Sequence, residues 1–384
     1  MTDSTMTDNV TEATVAPKTL VATSELKTAL KLVLSGTGSD QALEGADSIL
    51  FSGGAIHSYS GQVSVSVPLK DTSEAPVTLH GCLKAKNFSA WVSKVKAEEI
   101  SFETLADGSW EISADKSQIN PTRFEDPLTE HLNKLNLTEL DWTDLPEDFH
   151  GALQLVRLDN QKSNVPYVLF SGASVFSTDG MRFNSCGFDQ ELGDFAVHTD
   201  DLKALLQSSD LRQIAVAQSW VHFLTTSGTV WTVRKMDGSG YRRDVHTRLL
   251  DFIEGSIEAG TEGNIATDLP LGLADAVDKL DVYAASDKES GTMRVDIRIT
   301  SDGLALQSAR TEGKARETLE WPEALPEGVD FEMAVSGPFL KEAAARNLKL
   351  HVVEFSFNNQ TTTQIAFKGG NFTQVVKTIA KAGA

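Results

Sequence analysis

One hairpin is written into this chain twice, and that limits its fold more than any other feature. Residues 48–61 read SILFSGGAIHSYSG and residues 167–180 read YVLFSGASVFSTDG, 119 residues later, with six of fourteen positions identical. In each, an apolar strand runs into a glycine turn and returns, and glycine supplies the positive φ that tight hairpin turns demand. A fainter third copy follows: MRVDIRI alternates Val295, Ile297 and Ile299 with Asp296 and Arg298, turns at SDG and returns as LALQSA. Taking Ser52, Ser171 and Ser301 as the start of each turn gives spacings of 119 and 130. The chain is therefore expected to repeat one unit of about 120 residues three times.

Helical spacing recurs at matching places. Before each hairpin come ELKTALKLVLSG from Glu25, HGALQLVRL from His150 and LGLADAVDKLDVYAA from Leu271. After each come KAKNFSAWVSKVKAE from Lys84, TDDLKALLQS from Thr199, with Thr199 as N-cap, and GPFLKEAAARN from Gly337. Each unit then ends in strands such as SWEISAD, WVHFLTTSGTVWTVRK and LHVVEFSFNNQTTTQIAF. The prediction is an α+β chain of three repeats, each with two helices packed on antiparallel sheet: a polar tail over 1–20, then domains over 21–144, 145–262 and 263–384.

Repetition argues against an enzyme, because an active site needs only one copy. No Walker loop, dinucleotide fingerprint, HExxH, nucleophile elbow or EF-hand loop is present. GSG at 238–240 is read as a turn, His351 and Glu354 as a solvated strand edge, and the eight histidines form no cluster with ligand spacing. No catalytic residue, metal or cofactor is expected. Cys82 and Cys186 are the only cysteines, too few for a disulfide framework, and read as core residues. No apolar run approaches the ~20 residues of a membrane helix and the start lacks a signal peptide's pattern, so a cytoplasmic protein without a membrane partner is expected.

The formal net charge of −20 argues against a nucleic-acid partner only if charge is evenly spread. The six helical stretches carry eleven Lys and Arg against eight Asp and Glu, a balance of +3 that leaves −23 for the rest. The stretch from Lys84 to Glu98 holds four lysines and one acid around Trp91. Basic helices inside and acidic strands outside suit a ring through which DNA passes.

These repeats resemble the bacterial sliding clamp, the beta subunit of the replicative polymerase, from about Val21 to the end. TDGMRFNSC (178–186) is similar to the family's TDGHRLAVC, and KMDGSGYRRDV (235–245) to its DGxxPDYRRV junction. VDFEMAVSGPFLKEAAARN and the terminal QVVKTIAKAGA resemble segments of its last domain. The resemblance implies a head-to-tail homodimer whose six domains encircle duplex DNA without reading its sequence. It also implies DNA polymerase and a clamp loader as partners, and a hydrophobic peptide pocket at the junction of the second and third domains. The expected DNA-facing residues are Lys27, Lys31, Lys84, Lys86, Lys94, Lys96, Arg157, Lys203, Lys341 and Arg346. The expected pocket is Thr178, Gly180, Met181, Arg182, Phe183, Val245, Val375, Val376 and Ile379.

The chain departs from the family where GSGY replaces the junction proline, where Lys377 and Ile379 replace two methionines, and where Ala284 and Ala285 stand for an aliphatic interface pair. Such drift points to a specialised clamp, for instance a phage-encoded one. The rival expectation is a non-catalytic structural or interaction protein of repeated domains, such as a virion component.

Overall fold

The structure is a computed structural model and describes residues 18–39, 43–122, 126–158, 166–236, 264–282, 293–310, 313–357 and 360–379, together with 248, 251 and 255. It forms two compact units, one of Met1–Asp144 with Asp201–Arg234 and one of Leu145–Asp200 with Lys235–Ala384. Most of the predicted tail lies outside the described residues, but its end does not: Thr19–Ala22 is strand β1.

In the first unit β1 leads to α1 (Thr23–Val33), then β2 (Ser48–Ser52), β3 (Ala55–Tyr59), β4 (Val63–Pro68), β5 (Gly81–Lys84) and α2 (Ala85–Lys94). Next come β6 (Glu99–Thr104), β7 (Trp110–Ala114), β8 (Ser117–Ile119), a short α3 (Thr129–Asn133) that the sequence reading did not anticipate, and β9 (Thr143–Asp144). The second unit opens with α4 (Phe149–Val156), β10 (Tyr167–Ser171), β11 (Ser174–Thr178), β12 (Arg182–Gly187) and β13 (Phe195–His198). After α5 (Thr199–Leu205) the chain gives the first unit β14 (Leu211–Val216), β15 (Trp220–Thr225) and most of β16 (Val230–Met236). The second unit is completed by β17 (Ile265–Asp268), α6 (Leu273–Asp281), β18 (Arg294–Thr300), β19 (Gly303–Arg310), β20 (Gly313–Leu319), β21 (Asp330–Ser336), α7 (Gly337–Ala345), β22 (Lys349–Phe357), β23 (Gln360–Gly369) and β24 (Phe372–Val376).

Both units follow one antiparallel plan. The first has a small sheet β1-β6-β7-β8 and a larger one ordered β9-β14-β15-β16-β4-β3-β2-β5. The second repeats this as β20-β19-β18-β21 and β17-β22-β23-β24-β12-β11-β10-β13. The hairpins turn in two residues: Ser52 faces Ala55 across Gly53 and Gly54, both at positive φ (58° and 77°), and Ser171 faces Ser174 across Gly172 at φ 57°. In the third copy Thr300 faces Gly303, so the true spacing is 119 then 129 and Ser301 lies inside the turn. Gly303 is required for another reason: a Cβ there would sit 2.5 Å from the Leu319 carbonyl oxygen.

The helices bury the stripes their spacing predicted. Leu26, Ala29, Leu30 and Val33 of α1 point inward, and α2 adds Phe88 and Val92. Phe88 meets Phe51 edge-on at 6.0 Å in a cluster with Phe102 and Trp110. α5 starts at Thr199, and its cap is His198, whose Nδ1 accepts the Asp200 N–H at 3.2 Å; Thr199 is the first helical residue, not the N-cap. β22 is paired on both sides, so His351 is buried and not at a solvated edge. Cys82 and Cys186 are buried, and burial pushes their thiols up to about 11 and about 12. No helix among the described residues is long and apolar enough to cross a membrane, and none of them forms a group of three potential metal ligands.

Candidate functional site

Within their observed bounds the six predicted helices carry seven cations and seven acids, because Lys84, Lys96, Glu98, Arg157 and Arg346 flank them and do not belong to them. The predicted basic excess therefore reduces to one place, the α1–α2 pair of the first unit. Its helices hold Lys27, Lys31, Lys86 and Lys94 against Glu25 alone, with Lys96 just beyond. The half-buried Lys27 donates through Nζ to the Val95 carbonyl at 2.8 Å, tying α1 to the end of α2. Lys84 pairs with Asp47 at 2.5 Å and is half-buried. Lys31, Lys86, Lys94 and Lys96 are exposed and form no ion pair among the described residues.

Two of the remaining predicted DNA contacts are held in ion pairs. Lys341 of α7 is held by Asp278 of α6 at 2.5 and 2.8 Å. Arg346 pairs with Glu342 at 2.7 Å and lies 5.1 Å over the Phe372 ring, with burial lowering its pKa. Arg157 is half-buried at the C-cap of α4; Lys203 is exposed on α5.

Four of the predicted pocket residues lie on β12 and β24 of the second unit, Phe183 and Val375 on one face and Arg182 and Val376 on the other. Phe183 stands opposite Val375 and Thr178, while Arg182 stands opposite Val376. Successive residues of a strand point to opposite sides, so the pairs cannot share a surface. Phe183, Val375, Leu169, Phe176, Ala196 and Ala366 form one buried cluster, with Tyr167 and Met236 packed against it. Phe183 stacks on Phe176 at 5.7 Å, and Val376 is fully buried on the other face. Arg182 is bound from three sides: Nε donates to Asp179 at 3.1 Å, Nη1 donates to Glu342, and the guanidinium carbon lies 4.6 Å from the Phe339 ring centroid. The sequence reading missed Asp179, Phe339 and Glu342 as its partners; an arginine between apolar strand positions was the one available signal.

The turn between β11 and β12 is built from the same residues. Asp179 Oδ1 accepts the backbone N–H groups of Met181 and Arg182 at 2.9 and 2.8 Å, and Thr178 Oγ1 accepts that of Gly180, which lies at φ 83°. Half-buried Met181 accepts the Lys377 N–H at its carbonyl, and the Ile379 N–H reaches the Ala334 carbonyl at 2.7 Å. Val245, most of the junction 235–245, and Ala284 and Ala285 lie outside the described residues.

The repeat-equivalent surface of the first unit has its own cover. Leu50, Tyr59 and Cys82, on β2, β3 and β5, cluster with Leu128 and Leu135, and Leu132 packs against them. His131 stacks on Tyr59 at 5.3 Å. The leucine spacing in DPLTEHLNKLNL was the sequence signal for this segment.

No family model matches the sequence, and no curated protein matches it. The fold, however, is that of the bacterial sliding clamps. The beta chain of DNA polymerase III from Streptococcus pneumoniae matches with a TM-score of 0.73 at 12% identity, over 95% of this chain and 100% of that one. The Bacillus subtilis sliding clamp matches with a TM-score of 0.72 at 15% identity, over 95% and 99%. The Helicobacter pylori beta clamp, in a crystal structure with a DNA ligase peptide, gives 0.72 at 14%, over 95% and 100%. The chain is thus similar in fold to clamps along almost all of its length, with little sequence in common.

Proposed function

We propose that this protein is a sliding clamp: a non-catalytic homodimeric ring that encircles duplex DNA in the cytoplasm and tethers a polymerase and other partners. Each chain would supply three domains, 21–144, 145–262 and 263–384, and a clamp loader would open the ring. The observation that carries the reading is the whole-length likeness to clamps at TM-scores of 0.72–0.73. The exposed Lys31, Lys86, Lys94 and Lys96 support it, as cations suited to phosphate contact without base reading. The Thr178–Met181 turn beside the apolar cluster supports a partner site, with Met181 as its half-buried contact and Phe183 and Val375 as the floor beneath.

The test is retention on DNA after assisted loading. A topological link survives high salt on a closed circle and is lost on linearisation. Equal loss from both would leave the reading of a non-catalytic structural protein. For the partner site, Met181→Ala should weaken binding of an extended Leu- and Phe-bearing peptide while the fold is retained; unchanged binding would move the site elsewhere.

A further inference from the structure

The end of α2 and the turn between β7 and β8 enclose a cleft of about 520 Å³, within the range of small-ligand sites. Its wall is Trp91. The indole is half-buried, lies nearly parallel to Phe88 (24°, centroids 6.5 Å apart), and donates its N–H to Ser117 Oγ at 3.3 Å. The ring is therefore held by a neighbour on one side and a hydrogen bond at its edge, which fixes its plane.

Three cations stand around it: Lys94, three residues on along the helix, Lys96 just past the helix end, and Lys116 from the turn. All three are exposed, and none makes an ion pair among the described residues. Asp115 is the one acid in the cleft, so the lining carries a surplus of two positive charges on a chain whose formal net charge is −20.

A fixed aromatic plane ringed by unpaired lysines is the chemistry of an unpaired base with its phosphates: the ring takes the π-face and the ammonium groups take the backbone. A duplex offers the phosphates but keeps its bases stacked away. An acidic peptide would use the lysines and leave the indole idle. We infer that the Trp91 cleft is a binding site for single-stranded nucleic acid, stacking one base on the indole and holding flanking phosphates with Lys94, Lys96 and Lys116. The site shares Lys94 and Lys96 with the proposed duplex face, but Trp91 and Lys116 are its own, and it stands whether or not the chain forms a ring.

The test uses the full chain and a fluorescently labelled linear dT oligonucleotide of about eight nucleotides, a strand too short and open-ended to be held by topology. Anisotropy should report binding with a log–log salt slope near −2, from three phosphate contacts at about −0.7 each. Trp91→Ala should weaken it about tenfold, the effect of losing one stacked base, ~1.4 kcal/mol. Trp91→Phe, which keeps an aromatic plane and a packed core, should lose less. Lys94→Glu with Lys116→Glu, both at exposed positions, should weaken binding and flatten the slope, whereas Lys203→Glu should change neither. Unchanged affinity in the lysine pair or in Trp91→Ala would overturn the site. So would poly-glutamate competing as well as dT, since it offers no base to the indole. Loss of salt-resistant retention on circular DNA with intact dT binding would count against the clamp reading and not against this one.

Discussion

Replacing Arg182 with methionine removes a charge from the middle of a nearly buried network while keeping the length of the side chain. The Arg182 side chain is 14% exposed, Asp179 is 4% exposed and Glu342 26%. After the substitution Asp179 keeps the backbone N–H groups of Met181 and residue 182, and Glu342 keeps Arg346 at 2.7 Å. Removing one partner of a buried pair costs about 3–5 kcal/mol when the other is left uncompensated. Because both carboxylates retain donors, the expected loss falls below that range, at about 2–3 kcal/mol. Urea unfolding followed by fluorescence would read this as a midpoint lowered by about 1 M, for a slope near 3 kcal/mol per M. Asp179→Asn in the same background should cost much less than it does alone, since contacting groups couple by roughly 0.5–3 kcal/mol. Partner-peptide affinity should stay within about twofold, because Arg182 points to the face that carries α7 and not to the one that carries Phe183. A variant as stable as the parent that loses peptide binding would refute the assignment and return Arg182 to the docking surface.

His222 is fully buried, with Nδ1 against Thr232 Oγ1 at 2.9 Å, and burial lowers its pKa from 6.5 to about 4. The neutral ring is favoured in the folded state, so its contribution is complete above pH 6.5 and is lost as pH falls toward 4, by about 3 kcal/mol in all; thermal midpoints across that window should fall less steeply in His222→Gln. Gly54→Ala should destabilise by about 2 kcal/mol, because φ is 77° and the added Cβ would lie 2.8 Å from Pro76 Cβ, whereas Gly53→Asn, at φ 58° with open space around it, should be near neutral by thermal melting. Changing Lys31, Lys86, Lys94 and Lys96 together to Glu should lower duplex retention and flatten the salt slope by about 0.9 for each phosphate no longer neutralised, while the melting temperature stays within a few degrees.

Local rules reached much of this molecule. A two-residue turn forces positive φ, so SGG and SGA could be read as hairpins without any tertiary knowledge, and the stripe of Leu26, Leu30 and Val33 marked the buried face of α1. The same rules failed where two causes produce one residue. Glycine in SDG looked like a third turn glycine, yet Gly303 is there because the Leu319 carbonyl passes too close for a Cβ, and that partner lies on the next strand. The charge map fails at element ends: stretches that overrun the helices by two to five residues take in Lys84, Lys96, Arg157 and Arg346, and that alone turns a neutral set of helices into a basic one. What survives correction is the lysine excess of α1 and α2. The grouping of Arg182 with Phe183 meets a different limit. The resemblance puts Thr178, Gly180, Met181, Arg182 and Phe183 in one pocket, although a strand's two-residue period assigns Arg182 and Phe183 to opposite faces, and period alone separates them. Period could not have named Glu342, 160 residues further along the chain, as the group that holds Arg182 on its side. An arginine set between apolar strand neighbours announces that an acid must exist somewhere to hold it; only the fold says which one, and with it which face of the sheet the guanidinium occupies.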